Sequence, residues 1–240
     1  MMMPRYQPQI TMMMMTINYP PNVNNLLLKD RMGDADMSLL KANIVGVVLA
    51  GGLGRRMGEV DKPLVPLAGK TLLQHVLDRA SPQCAQMVIN ANGDPGRFQA
   101  YNLPVVADSV DENPGPLAGI LAGLDWAALH QPTATHVLSL PGDVPFIPHD
   151  LVQRLVQGLG DDCYLARAHS FGRRHPVVGL WPIEIRSDLR DQLVNNDIRK
   201  IDRFTADYTM AEVEFDGIPD PFFNINTPED QANAERVLKV

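Results

Sequence analysis

The sequence predicts an α/β fold: a single domain with a mostly parallel central sheet and helices on both faces. Three observations carry this. Short apolar runs alternate four times with amphipathic, helix-period segments. Each apolar run stops at a glycine or polar residue, namely Gly51, Asn90, Asp108 and Asp143. The first run opens into a glycine-rich, cationic loop. In open α/β sheets ligands bind beyond the carboxyl ends of the strands, so these four units aim their polar ends at one crevice.

Ile44 to Leu49 is apolar and β-branched, as a buried parallel strand requires. The loop after it holds Gly51, Gly52, Gly54 and Gly58 with Arg55, Arg56 and Lys62. Glycine lets backbone N–H groups approach a ligand, and successive N–H groups form an anion nest, so the loop reads as a polyphosphate cradle. It is not a Walker A loop, because no Gly-Lys pair stands at the required distance. Nor is it the dinucleotide fingerprint, since Met57 takes the third glycine's place and Pro63 and Pro66 follow. Leu72, Leu73, Val76 and Leu77 then space a helix after Lys70-Thr71. Gln86 to Ala91 is a second strand, ending in Asn90-Ala-Asn92 and a turn cluster from Gly93 to Gly96. Pro104 to Ala107 is a short third strand before Asp108, and Asn113-Pro-Gly-Pro116 leads into a helix from Leu117 to His130. Thr135 to Leu140 is a fourth strand closed by Pro141-Gly-Asp143, and Pro148 opens a helix through Val156.

The second half has a weaker pattern. Cys163 to Ala168 and Val177 to Trp181 read as strands flanking a basic loop of Arg167, His169, Arg173, Arg174 and His175. A helix is predicted over Ile183 to Asn196 and a strand over Tyr208 to Glu214. Phe222 to Asp230 reads as a strand running into a helix, with Thr227 as N-cap, Pro228 in the first helical position and Asp230 as the capping acid.

The 240 residues are 45% hydrophobic and 20% charged, the balance of an ordinary globular protein. A net charge of −7 argues against a nucleic-acid or anionic-membrane binder, which needs a basic face. Cys84 and Cys163 form no Cys-x-x-Cys pair and read as reduced thiols of a cytoplasmic protein. Residues 1–42 hold most of the chain's twelve methionines without a sustained period or a membrane-length apolar run. They read as a disordered extension, with the domain proper over 43–240.

Leu49-Ala-Gly-Gly52, Arg56-Met-Gly58 and Asp61-Lys62 resemble the signature of nucleotidyltransferases with an Ala-Gly-Gly loop. With Asn90-Ala-Asn92, Pro114-Gly-Pro-Leu-Ala-Gly119, His175-Pro176 and Asn224-Ile-Asn-Thr-Pro228, the chain most resembles the molybdenum cofactor guanylyltransferases from Val47 to about Glu235. The resemblance implies a Rossmann-like nucleotidyltransferase fold. It also implies transfer of GMP from GTP to molybdenum-bound molybdopterin, with Mg²⁺ as cofactor and pyrophosphate as the other product. Leu49, Ala50, Gly51, Gly52, Lys62, Asn90, Asp108 and Asp143 would bind the nucleotide. Asn224 and Asn226 would lie near the active site, with Arg174 and His175 meeting the pterin phosphate. Molybdenum-insertion proteins and molybdoenzyme chaperones would be its partners. Cytidylyl transfer to the same cofactor, a sugar-phosphate nucleotidyltransferase and a GTP-binding regulator without turnover are the alternatives.

The residue chemistry suits this implication. Cleaving the α–β phosphate bond builds negative charge on the leaving group, so positioning and charge neutralisation are the protein's task. Lys62 and Arg56 supply cations, while Asp143 suits Mg²⁺, which takes one or two carboxylates plus phosphate oxygens and waters. Capping of the following helix is the other account of Asp143. Asp108 can accept both guanine N1–H and N2–H₂, assist at the metal, or start a turn with Ser109. Asn90 can bond the base or ribose, or form a turn. Gly119 and Gly123 read as close helix-packing positions.

Overall fold

The computed structural model describes residues 43–51, 53–54, 60–110, 115–160 and 162–238. Gly52, Arg55, Arg56, Gly58, the dipeptide Asn113-Pro114 and the extension over 1–42 lie outside them. Seven strands form the central sheet: β1 (Ile44–Leu49), β2 (Gln86–Asn90), β3 (Val105–Val106), β4 (His136–Pro141), β5 (Leu165–Ser170), β6 (Arg173–Pro182) and β7 (Met210–Glu214). Their order is β3-β2-β1-β4-β6-β5-β7, and all run parallel except β6.

Chain direction reverses across the sheet between β1 and β4. From β1 the chain moves outward to β2 and β3, then returns to place β4 on β1's other side, a topological switch point. The register sets Leu49 opposite Asn90 on one side and Pro141 on the other, and Asn90 opposite Val106. Four strand ends therefore stand in one row, as the sequence predicts.

Helix α1 (Leu72–Ala80) and helix α3 (Leu151–Leu159) cover one face of the sheet, packing Leu73, Val76, Leu151 and Leu155 against Ile44, Val48 and Leu138. Helix α2 (Pro116–His130) and helix α4 (Arg186–Asn195) cover the other, with Leu117, Ile120, Leu124 and Leu189 against Val45, Val47 and Val137. Alternate β1 residues point to opposite faces, so a strand buried on both sides reads as one apolar run. Gly119 and Gly123 let α2 lie directly on the sheet. A Cβ at Gly119 would come within 2.2 Å of Asn90 Oδ1, and one at Gly123 within 2.8 Å of Val47 Cβ. The last helix, α5 (Pro228–Leu238), packs a third apolar cluster of Val65, Leu67, Leu72, Phe146, Ile225 and Ala234. No helix among the described residues is long and apolar enough to cross a membrane.

Three sequence expectations are corrected. α3 begins at Leu151, not at Pro148, and runs on to Leu159. Its start is set from a distance: Gln83 Oε1 accepts from Val152 N at 2.9 Å while Gln83 Nε2 donates to Pro148 O at 2.9 Å. The basic segment is not a loop between two strands. Arg167 and His169 lie within β5, Arg173 to His175 begin β6, and only Phe171 and Gly172 turn, both with positive φ, in a two-residue hairpin. Phe222 to Thr227 is not a strand. Asp220 pulls the chain into a turn by accepting from Phe222 N (3.0 Å, side chain) and Phe223 N (3.1 Å, carbonyl). The capping of α5 is as predicted: Asp230 N donates to Thr227 Oγ1 at 3.1 Å, and Thr227 N to Asp230 Oδ2 at 2.9 Å.

Candidate active site

Two hollows open along the row of strand ends, and they adjoin at Leu49, Pro141 and Val177. The larger, about 500 Å³, holds Lys62, Asp143, Arg173, Arg174, His175, Asp220, Asn224 and Asn226. The smaller, about 410 Å³, holds Gly51, Asn90, Asn92, Asp108, Gly115 and Pro116.

Asp143 follows β4 and Lys62 follows the glycine-rich loop, yet the two form an ion pair. Their side chains are 13% and 15% exposed, so neither charge is left to bulk water. The Lys62 ammonium also donates to Asn226 Oδ1 at 2.5 Å, and Asn224 Nδ2 donates to Asp143 Oδ1 at 2.9 Å. The backbone reinforces this, Ile225 N donating to Asp143 O at 3.1 Å. Asn224 and Asn226, which the family resemblance puts near the active site, thus hold the Asp143–Lys62 pair itself. Asp143 caps no helix, since α3 starts eight residues later with Gln83 at its first turn.

Among the described residues no group of three or more His, Cys, Asp or Glu side chains is placed to hold a metal ion. The donor set nonetheless fits Mg²⁺. Asp143 carboxylate and Asn226 amide oxygens are hard donors already gathered round one cation, the Lys62 ammonium, and Mg²⁺ draws its other ligands from phosphate and water.

In the smaller hollow the Asp108 carboxylate is met, among the described residues, by amides alone. Asn90 Nδ2 donates to Oδ1 at 3.0 Å and Asn92 Nδ2 to Oδ2 at 2.8 Å, while Asp108 N donates to Asn92 Oδ1 at 2.9 Å. Asn90 is 5% exposed and pinned between Val106 O, to which it donates at 3.2 Å, and the bare backbone of Gly119. Asp108 and Asp143 line different, adjoining hollows. Gly51 is exposed, with open space where a Cβ would stand, and Ala50 is buried beneath it.

β6 delivers the remaining groups. It is antiparallel, so its beginning, not its end, reaches the edge where the parallel strands stop. The pairing with β5 is irregular between His175 and Gly179, a stretch that contains Pro176. His175 Nε2 lies 2.8 Å from Ser170 Oγ, which donates to Asp220 Oδ1 at 2.7 Å. Since that hydroxyl proton is committed to Asp220, His175 is the donor through Nε2–H, leaving Nδ1 with a lone pair. Partial burial holds the His175 pKa below its ordinary value, opposed by the nearby Asp220 charge. Arg174 Nε is held by Glu212 at 2.9 Å. Arg167, 9% exposed, bonds Glu212 at 2.5 Å and Asp202 at 2.7 Å. Arg167 first, then Arg174, keeps the Glu212 carboxyl below the usual range. The sequence offers no signal for Asp220, Glu212 or Asn92 as partners, because each pairs across a distant strand or loop.

The chain matches the family model of the MobA-like NTP transferase domain over residues 46–210. It is 56% identical over 196 residues to a protein of Bradyrhizobium sp. (strain ORS 278) named molybdenum cofactor guanylyltransferase, covering 81% of this chain and 92% of the relative. It is 58% identical over 193 residues to one of the same name from Rhodopseudomonas palustris (strain BisB5), covering 80% and 92%. Among solved structures it is similar to molybdopterin-guanine dinucleotide biosynthesis protein A of Archaeoglobus fulgidus (TM-score 0.66, 25% identity, 81% of this chain and 98% of that one). At fold level alone it is similar to a 4-diphosphocytidyl-2C-methyl-D-erythritol synthase of Anaerococcus prevotii (TM-score 0.65, 14% identity, 85% and 99%).

Proposed function

The chain belongs to the MobA-like NTP transferase family of nucleotidyltransferases, and from that membership we propose that it transfers GMP from GTP to the terminal phosphate of molybdenum-bound molybdopterin, releasing pyrophosphate. The observation that carries this reading is the Lys62–Asp143 pair, set by Asn224 and Asn226 in the larger hollow, which adjoins the smaller one at Leu49, Pro141 and Val177. One hollow has cations for phosphates and the other a carboxylate for a base, which is the division a nucleoside triphosphate needs.

On this reading guanine lies against Asp108, whose carboxylate accepts from N1–H and N2–H₂ while Asn90 and Asn92 hold its orientation. Lys62 takes the phosphates as a point charge, joined by Arg56 of the preceding loop. The acceptor's phosphate oxygen attacks the α-phosphorus in line. The new P–O bond forms as the α–β bridging bond breaks, and the electron pair leaves on pyrophosphate. A phosphate monoester is already anionic near neutral pH, so no side chain need remove a proton. Mg²⁺, when held by Asp143, adds charge neutralisation on the same phosphates. Arg174 and His175, on the far wall of the larger hollow, receive the acceptor. The enzyme works in the cytoplasm, between proteins that insert molybdenum and chaperones that receive the finished cofactor.

The test is pyrophosphate release with molybdopterin as acceptor and the four nucleoside triphosphates in competition. Consumption of GTP alone is the expected result. Preference for CTP would make the enzyme a cytidylyltransferase, and tight GTP binding without pyrophosphate would make it a regulator.

A further inference from the structure

Arg97 lines neither hollow and belongs to none of the motifs above. It sits in the helical turn Pro95–Tyr101 that follows β2, yet every nitrogen of its guanidinium is engaged. Nη1 donates to Asp61 Oδ1 at 2.6 Å, Nη2 to Asn92 O at 2.5 Å and Nε to Asp94 O at 3.1 Å. The Arg97 and Asp61 side chains are 26% and 22% exposed. An isolated surface ion pair contributes little, but a planar fork fixed at three points is an ordered strut.

The strut has two informative ends. Asp61 directly precedes Lys62, which reaches Asp143. Asn92 clasps Asp108 from both sides, donating from Nδ2 at 2.8 Å and accepting at Oδ1 from Asp108 N at 2.9 Å. One rigid group therefore links the exit of the glycine-rich loop to the residue that orients the base-end carboxylate.

We propose that Arg97 is a positioning residue that fixes the spacing between the phosphate end and the base end of the nucleotide site. This rests on the reading of the two hollows given above. Pinning Asp61 fixes the backbone that leads into Lys62 before a ligand arrives, so the strut acts as preorganisation. Its effect has a signature. Spacing matters to a ligand that touches both ends and not to one that touches a single end. A purely structural arginine would weaken all ligands alike or none.

Calorimetric titration of GTP, guanosine and pyrophosphate, each alone, into wild type, Arg97→Met, Arg97→Lys and Asp61→Asn tests this. Arg97→Met weakens GTP about tenfold while guanosine and pyrophosphate stay within about twofold. Arg97→Lys recovers part of the loss, because an ammonium can reach Asp61 but has no second arm for Asn92. Asp61→Asn weakens GTP similarly and adds little in the Arg97→Met background, since both remove the same link. Failure of wild type to bind GTP would overturn the function proposed for the site. GTP binding in Arg97→Met within about twofold of wild type, or an equal loss for all three ligands, would overturn the role of Arg97 alone.

Discussion

The two hollows are built from the same device and differ in what meets the carboxylate. Asp143 and Asp108 both follow parallel strands whose ends stand in one row. Asp143 receives an ammonium and an amide, and its neighbours Asn224 and Asn226 hold both members of the pair. Among the described residues Asp108 receives amides alone, and a glycine-backed helix fixes one of them. A carboxylate paired with a cation can share that cation with phosphates and a metal. A carboxylate held by neutral donors keeps its lone pairs for a neutral hydrogen-bonding partner such as a base edge. Strand-end position thus creates the site, and the second partner decides its chemistry.

Changes at the phosphate end should be far costlier than changes at the base end. Asp143→Ala is expected to lower kcat about a thousandfold or more, since it removes both the Lys62 partner and the proposed metal donor. Steady-state pyrophosphate release with folded variant checks this, and near-wild-type turnover would break the contrast. Asp108→Asn is expected to raise KM for GTP about tenfold and to narrow its preference over ATP, with a smaller change in kcat. The same assay with both nucleotides reads it, and equal losses in kcat and kcat/KM would move Asp108 to the phosphate end. The smallest expected effect lies at the opposite edge of the sheet. His136 opens β4, is 3% exposed, and its Nε2 meets no partner among the described residues. Burial lowers its pKa from 6.5 to about 4. A depressed histidine pKa means that the unfolded chain binds the proton more readily. Stability is therefore whole above pH 6.5 and falls as pH drops toward 4, by at most about 1.4 kcal/mol per pH unit. Urea unfolding from pH 7 to 4.5 checks this, with His136→Gln losing less over that range and kcat at pH 7 unchanged.

The half of the sheet from β1 to β4 was legible because its physics is local. Buried parallel strands read as apolar runs, α1 has clear spacing, and the polar residue ending each strand marks the crevice. The half from β5 to β7 was not, because β6 runs against its neighbours. It brings Arg173, Arg174 and His175 to the crevice at the beginning of a strand, and the irregular stretch containing Pro176 makes charged strand residues read as a loop. Long-range capping hid the start of α3, where Gln83 substitutes for a local cap. Asn224 and Asn226 carried no local signal for contact with Lys62 and Asp143. The family resemblance placed them near the active site, and the fold shows the bonds. Arg97 illustrates the general limit, since its bond to Asp61 crosses 36 positions of the chain with no period or motif of its own to announce it.

A crystal structure with a non-hydrolysable GTP analogue tests the central claim most directly. It should show one nucleotide spanning both hollows, its phosphates against Lys62 and Asp143 and its guanine against Asp108. Phosphates bound away from Lys62, or guanine resting in the Arg174–His175 hollow with Asp108 untouched, would contradict the account.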